Sequence, residues 1–338
     1  MIRVLGAGII GLAVSDELLR RGHEVEVVDP APGSGASFAA AGMLTPAGEL
    51  WHGEEAVHRL GRVSAGLWPA YAARLRVPLH TGGTLLAAAD HGDLQLLDRQ
   101  VALARSAGEP VVELGRRELV EQEPRLGRVV GGALFPEDHS VDPRAVVTAL
   151  LERVPVVATP SGRDAAVTVV ATGAALPVAY SGLVRGVRGE ILRLRASPAD
   201  LPERTVRAWV HGEQVYVVPR AGGEVVVGAT QQEHAGAPIV TVEGAWRLLD
   251  TARRLLPGLD RAELVEATAR DRPGTRDNLP LIGPTDDPRV VLAAGHFRHG
   301  VLLAPITAQL IADHLEHGHV EPAVDPRRLL VPSLEGTR

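Results

Sequence analysis

The sequence predicts an α/β protein of two domains, one built on a parallel sheet from separated stretches of the chain and the other mostly antiparallel β. Three patterns predict it. Residues 1–30 read as strand, glycine turn, helix and strand, residues 167–229 are β-rich with one tight hairpin, and the chain closes with strand, small-residue turn and helix. The expected division assigns 1–78, 138–180 and 272–338 to the first domain and 79–137 and 181–271 to the second. A length of 338 residues with 45% hydrophobic content can fill two cores, and no repeat suggests a solenoid or propeller.

Residues 2–5 form an apolar run suited to a buried strand. Leu12, Val14, Leu18 and Leu19 give the next helix its apolar side, Gly22 ends it, and Val25, Val27 and Val28 lead to Asp29. Residues 30–50 are too rich in Gly, Ala and Pro for a regular element and are expected to wrap something as a loop. Helices are expected over 61–76, 94–107 and 116–121, with a strand over 80–89; Asp142-Pro143 starts a further helix running to about 152. Strands follow over 167–171, 189–195, 205–211, 214–219 and 224–229, the last two joined by Arg220-Ala221-Gly222-Gly223. Helical spacing returns over 242–256, strands over 265–270 and 290–294, and a helix over 305–317 closes the pattern.

Gly6, Gly8 and Gly11 have the G-x-G-x-x-G spacing between a strand and a helix, the Rossmann-like arrangement that binds a dinucleotide. Gly6 permits the tight turn, Gly8 lets backbone N–H groups approach a pyrophosphate, and Gly11 lets helix and strand pack closely. Asp29 is placed to accept ribose hydroxyls. The loop leaves FAD and NAD(P) open, and an acid at position 29 argues only against a 2′-phosphate. The final strand runs into Gly295-His296-Phe297-Arg298-His299-Gly300 and a helix, which sets backbone N–H groups and a positive dipole end near a group that becomes negative. A reduced flavin carries negative charge on its pyrimidine edge and a nicotinamide does not. With Ala171-Thr172-Gly173 after a valine strand, this favours FAD.

Composition excludes several classes. The chain has no cysteine, and all 35 of its basic residues are arginine, which removes disulfides, thiolate metal sites, thiol nucleophiles, a covalent flavin thioether, a pyridoxal-phosphate Schiff base and a phosphate-loop lysine. The 13 histidines show no metal-ligand spacing, so no metal is expected. Net charge is −6 without a basic, aromatic-interleaved cluster, so no nucleic-acid partner is expected. No apolar run approaches a membrane span and the opening strand leaves no room for a signal peptide, so a cytoplasmic protein is expected.

The segments GAGIIGLAV, ASFAAAGML, VYVVPR with GGEVVVGAT, RPGTRDNLPLIGP and GHFRHGVLLAP occur in this order. Over nearly its whole length the chain resembles glycine oxidases of thiamine-biosynthesis type, in the FAD-dependent D-amino-acid oxidase family. The resemblance implies an FAD domain of glutathione-reductase type, a substrate domain, non-covalent FAD, an amino-acid substrate with O2, and a homo-oligomer. It implies that Arg272 clamps the substrate carboxylate, Tyr216 supports it, and Arg298 lies near substrate and flavin. It places Ile9, Ile10, Asp29 and Pro30 at the adenosine end, Val157 at the adenine, and Ala36, Ser37, Ala41, Gly42 and Met43 around the flavin. Gly173 belongs to the cofactor turn, and His296, Phe297, Arg298, His299, Gly300, Val301 and Leu302 hold the pyrimidine edge by backbone.

The activity so implied is oxidation of glycine or a close relative to an imine with production of H2O2, for thiazole formation in thiamine synthesis. One departure bears on substrate: Thr268, Ala269, Arg270 and Asp271 stand where similar enzymes carry an aromatic and small apolar residues. Either Arg270 and Asp271 point to solvent, or the pocket takes a larger N-substituted glycine, with Gln231 as a further wall residue. Two rival functions are an NAD-dependent dehydrogenase, which would lack a flavin spectrum, and a dinucleotide sensor without turnover.

Overall fold

A computed structural model describes residues 1–233 and 236–330. The end of the expected first domain, 331–338, and positions 234 and 235 of the expected second one lie outside the described residues. The chain divides into two compact units, 1–38 with 144–186 and 272–338, and 39–143 with 187–271. Compactness therefore sets the first boundary at 38/39 where 78/79 was expected. Met43 and Leu44 pair with Ser140 and His139, and all four residues fall in the second unit.

The first unit is a six-stranded sheet in the order Leu281–Pro284, Val290–Ala294, Val167–Val170, Ile2–Leu5, Val25–Val28, Val156–Val157. All pairings are parallel except the edge strand Leu281–Pro284, which is antiparallel to Val290–Ala294. That edge strand is absent from the expected pattern, because four residues ending in Gly-Pro carry no alternation. Strand Ile2–Leu5 lies between Val167–Val170 and Val25–Val28 with Ile2 opposite both Val167 and Val25, and Val4 in its middle is fully buried. Helices Ile9–Arg20 and Gly300–His317 pack along each other, and Gly11, Ala13, Ala304 and Ala308 are buried. The closing helix begins five residues before the expected start at Pro305, which lies inside it. The missing N–H of that proline removes one ladder bond without stopping a helix whose neighbours are almost all buried.

The second unit carries an eight-stranded sheet in the order Glu263–Gly274, Arg185–Arg195, Glu224–Gly228, Glu213–Pro219, Thr205–Val210, Thr84–Ala88, Gly131–Phe135, Val112–Gly115. Thr205–Val210 pairs in parallel with Thr84–Ala88, and the other pairs of defined register are antiparallel. The expected strand over 80–89 is broken at Gly82-Gly83 into Leu79–His80 and Thr84–Ala88, and the supposed loop of 30–50 contains a short helix, Ala36–Ala39, and a strand, Met43–Leu44. One face of the sheet, with Leu192, Val206, Val215, Val217 and Val227, packs on Leu248, Ala252 and Leu255 of helix Val242–Leu255. The opposite face carries Tyr216, Val218 and Val226. This alternation follows from the period of two along a strand.

Candidate active site

The turn after strand Ile2–Leu5 has no room for side chains. A Cβ on Gly11 would fall 1.9 Å from the Gly6 carbonyl oxygen, and one on Gly6, at φ +99°, would fall 2.4 Å from that of Ala171. Gly8 is the N-cap of helix Ile9–Arg20 and makes no side-chain cap bond, and the first turn carries no acid. No acid of that first turn offsets the positive end of the helix dipole, which is suited to an anion. The Ile9 N–H donates to Ser37 Oγ at 3.0 Å, which brings those two residues together. Ile9 and Ile10 are themselves buried, at 2% and 9% exposure, so only their backbone faces the turn.

Asp29 does more than the sequence suggests. Its Oδ2 accepts the Ala7 N–H at 2.7 Å and its Oδ1 the Ala31 N–H at 2.8 Å, so the carboxylate shapes the turn while each oxygen keeps a second lone pair. The Asp29 N–H donates to the Val157 carbonyl at 3.0 Å, and the Val157 side chain is exposed beside it, as is Pro30. Thr172 Oγ1 is buried without a hydrogen-bond partner, and nothing lies within 4 Å of a Cβ placed on Gly173.

The GHFRHG segment folds as a short turn, Phe297–His299, feeding helix Gly300–His317. Phe297 has φ +46°, an uncommon conformation for a non-glycine residue and one that clusters at functional sites. His296 is buried with Nε2 2.9 Å from Thr307 Oγ1; burial, then His299, pushes its pKa down to about 3, so the ring is neutral. Its side chain is engaged inward, which leaves backbone as what this residue can offer. Arg298 is half-buried with its guanidinium 5.1 Å from the Phe297 ring centroid, and Val301 and Leu302 are buried.

In the second unit Tyr216 packs on a cluster containing Ala39, Ala41, Ile191, Val218 and Val226, with Met43 against the same cluster. The structure thereby joins Tyr216 to the small-residue segment that precedes Gly42 and Met43. Gly228 lies opposite Tyr216 and makes space for it, since a Cβ there would meet Tyr216 Oη at 2.4 Å. Arg220, just past the end of that strand, was not singled out from sequence. It is 9% exposed, donates through Nη2 to the Ala41 carbonyl, and is brought to a pKa of about 10 by burial, which leaves it charged at neutral pH. The alternation Tyr216, Val218, Arg220 was the available signal.

Arg272 is half-buried near the end of strand Glu263–Gly274. The expectation that Asp271 points to solvent is corrected: its carboxylate pairs with Arg188, Nε to Oδ1 at 2.6 Å and Nη2 to Oδ2 at 3.2 Å. Arg270 is half-buried and donates to the Ala269 carbonyl at 2.8 Å, while Gln231 is exposed. Among the described residues Asp90, Asp93 and His211 lie close enough to hold a metal, but Asp90 accepts the Asp93 N–H and Asp93 accepts those of His211 and Gly212, so the group ties a helix start to a turn.

The model of the FAD dependent oxidoreductase family (DAO) matches residues 1–314. The chain belongs to the FAD-dependent oxidoreductase family. A putative thiamine biosynthesis oxidoreductase ThiO of Rhizobium etli is 36% identical over 95% of this chain and 98% of its own length. The crystal structure of glycine oxidase from Geobacillus kaustophilus has a TM-score of 0.85 and 32% identity, covering 94% of this chain and 95% of that one. A bifunctional ThiO/ThiG protein of Trichormus variabilis is 34% identical over 96% of this chain, which spans only 53% of that relative's length. The α/β fold with a Rossmann-like unit and a second domain is shared with the glycine oxidase structure.

The residues of this FAD-dependent oxidoreductase fit the cofactor. A side-chain-free turn leads to a helix N-terminus whose first turn carries no acid, suited to a pyrophosphate, and the buried Thr172 hydroxyl has no partner among the described residues. Among the described residues no helix is long and apolar enough to cross a membrane.

Proposed function

We propose that this oxidoreductase oxidises glycine or a closely related amino acid at its Cα–N bond, in the cytoplasm, giving an imine and H2O2. The observation that carries the reading is the packing of Tyr216 on the cluster that contains Ala41, against which Met43 also packs; it brings the residue expected to support the substrate to the segment expected to touch the flavin. The names of the glycine oxidase and ThiO relatives support the same substrate class.

The Arg272 guanidinium binds the substrate carboxylate through parallel N–H donors, a geometry that fixes the direction of the Cα–H bond. Tyr216 supports the carboxylate and Arg298 adds positive potential. Gly6, Gly8 and Gly11 would leave room for the pyrophosphate, Ile9, Ile10, Asp29 and Pro30 would lie at the adenosine end with Val157 at the adenine, and the turn from His296 to Leu302 would hold the pyrimidine edge. When bound, FAD would supply a hydride acceptor that O2 reoxidises. A substrate bound as free amine needs no protein base, so placement and electrostatics carry the rate. The imine is hydrolysed to glyoxylate and ammonia or consumed in thiazole formation for thiamine.

A larger N-substituted glycine is the second reading. The engagement of Asp271 with Arg188 removes one of its supports. Anaerobic titration with glycine, sarcosine and bulkier N-alkyl glycines separates the two by which substrate bleaches the flavin at the lowest concentration. Arg272→Ala is expected to keep its yellow spectrum and to lose about 100-fold or more in kcat/KM, since a charged bidentate contact is removed. Reduction of that variant as readily as the wild type would overturn the assignment.

A further inference from the structure

Asp271 immediately precedes the proposed carboxylate clamp in strand Glu263–Gly274. An uncancelled carboxylate one residue from Arg272 would repel the substrate's own carboxylate and draw the clamp's charge. The alternation of a strand sends the two side chains to opposite faces, but their charges remain near enough to interact. The Asp271 carboxylate is met by the guanidinium of Arg188, a residue of strand Arg185–Arg195 that is only 1% exposed.

Every guanidinium nitrogen of Arg188 is used. Nε and Nη2 donate to Asp271 at 2.6 and 3.2 Å, Nη1 donates to the Ala237 carbonyl at 2.9 Å, and Nη2 also donates to that of Gly236 at 2.8 Å. The backbone of Arg188 pairs in both directions with Gln232, at 2.8 and 3.0 Å. A guanidinium this deeply buried is tolerated only where its donors are matched, and the Asp271 hydrogen bond raises its pKa further. The pair is neutral as a unit, and it joins the strand that ends in the clamp to the segment following Gln231.

We infer that Arg188 is a positioning residue for substrate binding: it cancels and holds the Asp271 carboxylate, so that this carboxylate does not oppose that of the substrate beside Arg272. The inference rests on the proposed role of Arg272. An uncancelled Asp271, 29% exposed and so partly screened by solvent, would weaken carboxylate binding by about ten-fold.

The test uses the FAD-loaded enzyme and four variants: Arg188→Met, Asp271→Asn, the double variant, and Arg272→Ala. Arg188→Met is expected to raise the glycine KM by about ten-fold or more while kcat changes less than about three-fold, with FAD affinity unchanged. Adding Asp271→Asn should bring KM back to within about three-fold of wild type, since the charge that needed cancelling is gone. A merely structural role for Arg188 predicts no such rescue. An unchanged KM in Arg188→Met, or a double variant no better than that single one, overturns the inference. Should Arg188→Met fail to fold, Asp271→Asn alone decides: the asparagine still accepts from Arg188, so KM should stay level or fall, and a rise would mean that the carboxylate itself serves the substrate. Wild-type-like binding in Arg272→Ala would instead overturn the clamp.

Discussion

His296 makes a sharp prediction about acid stability. Its ring is 2% exposed and has a folded-state pKa of about 3, lowered from 6.5 first by burial and then by His299. In the unfolded chain the ring titrates near its ordinary value of about 6.5. Between these values the unfolded state binds the extra proton, so the contribution of the neutral ring is complete above about pH 6.5 and is lost progressively as pH falls toward 3. At pH 5 the loss is about 2 kcal/mol, set by the roughly 1.5 units below the unfolded pKa and independent of the folded value as long as that lies well under 5. The melting temperature should drop by several degrees. The assay is thermal unfolding of the FAD-loaded wild type and His296→Gln at pH 7.5 and pH 5. Glutamine can still donate to Thr307 but takes up no proton. The variant should therefore lose about 2 kcal/mol less than the wild type between the two pH values. Equal losses would refute the reasoning.

Other substitutions probe the cradle, the flavin segment and the second core. Gly11→Ala forces a Cβ to within 1.9 Å of the Gly6 carbonyl, so the purified protein should carry little or no flavin, read from its visible absorbance. Arg220→Met removes the donor to the Ala41 carbonyl and should weaken FAD binding by about ten-fold, with Arg220→Lys recovering part of it; flavin-fluorescence titration checks both. Glu190, fully buried, accepts the Thr241 N–H at 3.1 Å and hydroxyl at 2.8 Å at the start of helix Val242–Leu255. Glu190→Ala should cost about 1–3 kcal/mol in urea unfolding.

Elements whose signal is local were legible. Strand Ile2–Leu5, helix Ile9–Arg20 and strand Val25–Val28 follow from apolar runs, glycine spacing and a terminal acid, and helix Pro143–Leu151 from its Asp-Pro start. Strands Val112–Gly115, Gly131–Phe135 and Leu281–Pro284 were not, because glycine, proline and exposed positions blur alternation, and pairing with distant strands supplies their order. Helix Gly300–His317 starts five residues before its expected start because surrounding burial carries the helix through Pro305.

The sequence by itself determined the dinucleotide-type turn, since a turn glycine, a helix start and a strand-end acid act within about thirty residues of one another, and it indicated the family through motifs spread along the whole chain. Only the tertiary structure decided that Asp271 is cancelled by Arg188, 83 residues away, and that Arg220 grips the Ala41 carbonyl across 179. A charged side chain carries no mark in its own sequence of whether it will meet water or a buried partner. That choice is made when distant strands come into register and remove the water.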